Sequence, residues 1–449
     1  MAELRRDLGL WGAVSIVIGT VIGSGIFLVP RTMVQDVGTP GLVFSVWIVG
    51  GLLSLAGALS YAELAAAMPE AGGEYVYLSE AYGPIWGYLY GWTQMWVAKS
   101  GSIATLATGF FLYLANFWPA LETVVFRVTL PFGYPFEVRY GQFLAIALIM
   151  GLAWLNYFGV KVGGGVQVVI TVLKVGLIGF VILAGIIYGP RGGAPASAPI
   201  VPLTLAGFIG ALVAALWAYD GWNNVSMVSS EIKNPKRFLP LALIGGTLTV
   251  MAIYLSANFV YFHVLSATEV AGSNRVAAVM MQHLFGPWGA NAVSAAAMIS
   301  IFAALNGSIL SGARVPYAMA RDGRFFTAMA AVNPTYHTPG VAILGLSAWG
   351  AVLVLSGKYD DLADFVVFGS WILYGMTTAA VVVLRRSRPD MNRPYRTWGY
   401  PYVPIVFVFA ALLIESVTLI NKPWQSGLGI VLILSGIPFY WRWRRLPER

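Results

Sequence analysis

Two stretches of the chain place backbone-loosening and polar residues where a long apolar segment would otherwise be uniform. The first reads Gly19-Thr-Val-Ile-Gly-Ser-Gly-Ile-Phe27. Glycine loses most backbone entropy on ordering and is the weakest helix former short of proline. Glycines crowded around Ser24 therefore invite a helix to open. The second reads Trp217-Ala-Tyr-Asp-Gly-Trp-Asn223, followed by Asn224. Asp220 and Asn223 weaken a helix and would be costly facing lipid. An opened helix presents amide N–H groups at the N-terminus of one half and carbonyls at the C-terminus of the other. The first arrangement suits a carboxylate and the second an ammonium. A ligand carrying both groups on one carbon is an α-amino acid. Gly19 and Gly23 also fit close helix packing of the GxxxG kind, and Asp220 also fits a buried carboxylate beside a donor. What favours a site is joint placement: interrupted helices at matching positions in two halves mark a transporter's midplane.

Two lysines lie inside apolar segments. Lys174, in Val169-Ile-Thr-Val-Leu-Lys-Val-Gly-Leu, needs acceptors or an escape to the interface. The long apolar run on its C-terminal side argues against escape in that direction, while the cytoplasmic route stays open. Lys99 reads as structural, reaching a cytoplasmic acid such as Glu231 or snorkelling. Glu63 and Glu74 read as parts of a cytoplasmic network with arginines such as Arg314. His263, His283 and His337 lie far apart and make no metal-ligand spacing, and no cysteine exists for a thiolate site. The motifs of zinc proteases and serine hydrolases are absent, so enzymatic chemistry is not expected, and neither is a cofactor.

The elements that must position these residues follow from composition. Of 449 residues 58% are hydrophobic and 10% charged, against about 25% charged in soluble chains. Lipid must therefore be part of the solvent. At roughly 20 apolar residues per crossing, spans fall near 9–36, 41–67, 84–114, 139–159, 165–188, 204–230, 240–262, 287–313, 339–356, 364–384, 401–420 and 425–442. The first span is too long for a secretory signal and lacks a cleavage pattern. With the N-terminus inside, cytoplasmic segments hold 18 of the 27 Lys and Arg, and external ones 7, including Arg191, Lys358 and Lys422. That bias places both termini in the cytoplasm. It also accounts for the net charge of +8 without nucleic acid.

The residues resemble a known family. Gly19 to Phe27, Tyr61-Ala-Glu-Leu64 with Gly72-Gly73, and Ala218 to Asn223 with Glu231 and Asn234-Pro235 follow its order. So do Asn306-Gly-Ser308 with Arg314, Ser370-Trp371 with Tyr374-Gly375, and Arg385-Arg386 to Arg393-Pro-Tyr395. Together they are similar to the L-type amino-acid transporters of the amino acid–polyamine–organocation superfamily, in a bacterial-type member. The resemblance implies an all-α polytopic membrane protein of twelve transmembrane helices. Residues 1–190 would form a first inverted repeat of five helices, with helix 1 broken. Residues 191–400 would form the second, with helix 6 broken, and 401–449 two further helices and a short tail.

It further implies a substrate carboxylate on the amides of Ser24, Gly25 and Ile26, and an amine on carbonyls near Val21, Ile22 and Trp217. Trp217 would be an aromatic gate. Ala218, Asp220, Asn223 and Asn224 would border the substrate, with Ser100 and Ser102 nearby. Lys174 would take the place of sodium in sodium-coupled relatives, bonding carbonyls around Gly19 to Val21.

The function implied is sodium-independent transport of L-amino acids by alternating access, in the inner membrane of a cell. Exchange and facilitated passage both stay open, with proton-coupled symport as an alternative. A sensing receptor on the same fold is disfavoured by the short tail after Tyr440. Animal members join a glycoprotein by a disulfide, which a chain without cysteine cannot form. Asp220 leaves two readings, a cation-attracting pocket or a structural acceptor, the second favoured.

Overall fold

The computed structural model describes residues 4–130, 134–190, 199–355, 359–421 and 423–444. Of the orienting charges, Arg191, Lys358, Lys422, Arg445 and Arg449 lie outside the described residues, as does the position at which the second repeat is expected to begin.

The chain opens with α1 (Leu10–Val21) and α2 (Gly25–Val37), which are two halves of one crossing, and α3 (Pro40–Ala67). Then come α4 (Glu74–Tyr82) and α5 (Pro84–Thr93). A π turn over Gln94–Ala98 joins α5 to α6 (Lys99–Leu114). A hairpin of β1 (Val124–Leu130) and β2 (Tyr134–Arg139), paired antiparallel, fills the connection that precedes α7 (Tyr140–Tyr157). After α8 (Val160–Tyr188) the second interruption separates α9 (Leu205–Tyr219) from α10 (Asn224–Met227). The rest comprises α11 (Pro235–Val264), α12 (Ala267–Gly272), α13 (Val276–Gly312), α14 (Arg314–Arg321), α15 (Gly340–Val354), α16 (Tyr359–Ser387), α17 (Tyr402–Asn421), α18 (Pro423–Leu434) and α19 (Gly436–Arg444).

Among the described residues, nine helical segments are long and apolar enough to cross a membrane by length and composition, and Leu205–Tyr219 and Gly340–Val354 are shorter apolar helices. The difference from twelve spans has local causes. The span expected at 204–230 stops at Asp220, and the one at 425–442 is divided at Ser435. Leu52, Trp154, Val169, Leu183, Leu248 and Phe409 all stand exposed on the bundle's outside. Such a belt is stable only against hydrocarbon. The fold is that of a polytopic all-α membrane protein.

The interrupted crossings sit at the centre. α1 packs on α8, α11 and α13, α2 packs on α9, and α3 lies along α11. The two breaks have different causes. In the first, Ile22 leaves the helix at φ −73°, ψ 86°, with no residue of the break at positive φ. Its glycines instead allow close approach: a Cβ on Gly25 would lie 2.6 Å from both Cα and Cβ of Ala218. In the second break, Asp220 is extended and Gly221 stands at φ +106°, where side chains are rarely tolerated.

Candidate functional site

Between the two breaks lies a cavity. Thr20, Val21, Gly23, Ser24 and Gly25 line it from the first crossing. Trp217, Ala218, Asp220, Gly221 and Asn224 line it from the second, Ser102 and Leu106 from α6, and Ser308 from α13. Of the residues expected around a substrate, Ile22, Ile26, Asn223 and Ser100 are not in this lining. The Asn223 side chain instead donates to the buried Glu74 carboxylate, which Ser226 also approaches at 3.3 Å.

Backbone groups at the first break are already engaged by side chains. Lys174, fully buried on α8, donates to the carbonyls of Gly19 at 2.6 Å and Ile22 at 2.5 Å. Ser300 donates to the same Ile22 oxygen at 3.0 Å. A carbonyl offers two lone pairs, so the Ile22 oxygen is filled and is removed from the acceptors expected for an amine. The Lys174 contact extends one residue beyond the expected Gly19 to Val21. The amides of Gly25 and Ile26 belong to the first turn of α2, where helical N–H groups have no partner inside the helix.

Tyr254 on α11 ties the breaks together. Its hydroxyl lies 2.9 Å from the carbonyl of Val21 and 2.8 Å from that of Ala218. Sequence reading missed this residue, because a tyrosine in an apolar span carries no mark of its partner. It also missed Gln167 and Thr171, which stand on α8 ahead of the expected Lys174. Spaced four and three apart, the three share a helix face. A Cβ on Gly19 would collide with the Gln167 amide and reach Thr171 Oγ1 at 2.6 Å. Asn306 donates to Gln167 at 3.0 Å and accepts from Asn156 at 2.8 Å, which connects α7, α8 and α13 behind the first break.

A model of the family described as amino acid permease matches residues 8–437. The chain belongs to this family. It is 34% identical to the serine/threonine exchanger SteT of Bacillus subtilis over 98% of this chain and 97% of that protein. The human b(0,+)-type amino acid transporter 1 is 31% identical, covering 98% of this chain and 88% of that one. The human cystine/glutamate transporter is 30% identical, covering 99% and 87%. This permease is therefore a multi-pass membrane protein of a family of amino-acid transporters.

In the permease the acid–base pairs differ from those expected. Lys99 does not reach Glu231; it donates to Asn224 Oδ1 at 2.6 Å while only 3% exposed. Glu231 is held by Arg314 through Nε at 2.7 Å and a second guanidinium nitrogen at 3.1 Å, with both side chains 1% exposed. Glu63 pairs with Arg385 at 2.7 Å and Arg393 at 3.3 Å, so Arg314 serves neither Glu63 nor Glu74. Asp220 accepts from the Tyr374 hydroxyl at 3.0 Å, as a structural acceptor would, and still lines the cavity. Leu8 and Ile232 bridge in parallel, fastening the segment before α1 beside Glu231.

Proposed function

We propose that this permease moves L-amino acids across the inner membrane without sodium, by exchange, in alternating-access cycles around the cavity between the two breaks. The observation that carries the reading is the Lys174 ammonium on the Gly19 and Ile22 carbonyls. A fixed cation there supplies the charge that a bound sodium ion would bring to the same oxygens, and it complements the negative end of α1. The substrate carboxylate is assigned to the amides of Ser24, Gly25 and Ile26. The amine is assigned to the Trp217 carbonyl, with Trp217 as the gate, because the Val21 oxygen, like that of Ile22, already has two donors, the Gly23 N–H at 2.8 Å and the Tyr254 hydroxyl at 2.9 Å.

The substrate side chain would then meet Ala218, Asp220 and Asn224, with Asn223 and Gly19 supporting from behind. A neutral substrate fits best, because the Asp220 carboxylate is already engaged by the Tyr374 hydroxyl. The proposed frame is twelve spans, with repeats over 1–190 and 191–400, two further helices over 401–449, and both termini in the cytoplasm. The chain holds no cysteine with which to form a disulfide to a subunit.

Counterflow in proteoliposomes with a panel of unlabelled amino acids, with and without sodium and a pH gradient, tests this. Exchange of neutral amino acids indifferent to sodium is expected. Sodium-dependent accumulation would overturn the reading, and uptake driven by a proton gradient would replace exchange with symport.

A further inference from the structure

The Asn224 amide has two ends, and Lys99 decides which one faces the cavity. An ammonium has only donors. The group 2.6 Å from Lys99 Nζ must therefore be the amide oxygen, an assignment made by hydrogen-bond chemistry. The nitrogen then points the other way. A Cβ built on Gly221 would lie 3.3 Å from Asn224 Nδ2, and Gly221 and Asn224 both line the cavity. No hydrogen bond from this nitrogen occurs among the described residues.

Lys99 itself is held in place. It follows the π turn Gln94–Ala98, an irregularity often found at functional sites. Its stem fills a notch on α13, where a Cβ on Gly312 would strike Lys99 Cγ.

We propose that Lys99 is a positioning residue for substrate specificity: by fixing the Asn224 oxygen, it turns an amide donor into the cavity and selects amino acids whose short side chain carries a hydrogen-bond acceptor. Hydroxyl-bearing and amide-bearing side chains meet that demand, and their hydrocarbon isosteres leave the donor unpaired. This rests on the transport reading above and names the substrate class of the same site. The carboxylate of Asp220 and the hydroxyls of Ser102 and Ser308 complete a polar pocket.

L-threonine and L-valine differ by a hydroxyl in place of a methyl and so isolate this contact. Exchange of each labelled amino acid by the reconstituted protein gives a ratio of the two kcat/KM values. For the wild type the ratio should favour threonine by about tenfold or more, the worth of one buried hydrogen bond. Lys99→Met should bring the two substrates to parity, while Lys99→Arg keeps the preference. Asn224→Asp, which retains a partner for Lys99 but removes the donor, should likewise lose it. A general folding defect lowers both rates together and leaves the ratio unmoved.

Equal handling of threonine and valine by the wild type would overturn the proposal whatever the variants do. So would a preference unchanged in both Lys99→Met and Asn224→Asp. Exchange of valine without threonine preference defeats this inference alone. Absence of exchange with every amino acid would defeat the transport reading and this one with it.

Discussion

The Lys174 ammonium lies 2.5 Å from the carbonyl oxygen of Ile22, the residue at which the first helix stops. A helix C-terminus gathers partial negative charge on carbonyls without intrahelical partners. A buried cation placed there needs that end as much as the end needs it. Lys174→Ala should leave the Gly19 carbonyl without a donor, at a cost of about 1–3 kcal/mol, and cut exchange by roughly tenfold or more in protein that still elutes as folded. Replacing sodium by choline should leave wild-type exchange unchanged. Proteoliposome uptake at the wild-type rate in Lys174→Ala would remove the lysine from the mechanism.

Gly25 should tolerate no side chain. A methyl there meets the backbone of Ala218 at 2.6 Å, and that backbone can yield only if α9 moves. Gly25→Ala should lose exchange and about 1–3 kcal/mol of stability through overpacking. Gly41→Ala, with open space at its Cβ, serves as the control and should lose neither. The larger Gly25→Val would abolish amino-acid binding by calorimetry for the same steric reason, before any question of access to the amides. A Gly25→Ala protein with normal uptake and melting temperature would contradict the packing described.

Tyr254→Phe removes one hydroxyl and two contacts, those to Val21 and Ala218. The fold should persist, because the ring still packs against Trp47 and Tyr219. Exchange should fall by about tenfold, corresponding to one lost buried hydrogen bond. The loss should appear on both sides of the membrane, since the hydroxyl bridges both breaks. Sided uptake and efflux assays read this directly.

Breaking the Arg314–Glu231 pair should be among the most damaging single changes. Both partners are 1% exposed, and removing one leaves a buried charge without compensation. Arg314→Met should destabilise by about 3–5 kcal/mol, and Arg314→Met with Glu231→Leu together should recover most of the loss. Thermal unfolding in detergent distinguishes this coupling from two independent effects.

For Asp220→Asn, the bond to Tyr374 argues that the carboxylate is chiefly an acceptor. Competition by leucine and by arginine should weaken to similar degrees. A loss confined to arginine and lysine would assign Asp220 to a cation pocket instead.

Much of this was legible in the chain itself, because it depended on local properties. Apolar run length located crossings to within a few residues, as at 139–159 against Tyr140–Tyr157. Glycines and an aspartate inside apolar runs located both breaks, because a helix weakened at one point opens near that point. A lysine deep in an apolar span announced that it must find acceptors. The tertiary structure decided which acceptors. Lys99 meets Asn224 across 125 positions and Lys174 meets Gly19 across 155, while Arg314 passes over Glu63 and Glu74 for Glu231. Such choices follow from where helices cross and how deep each side chain sits, and hydropathy carries neither. The role of Gly25 changed in the same way: its sequence context suggested a loosened helix, and packing made it the contact point of two broken crossings.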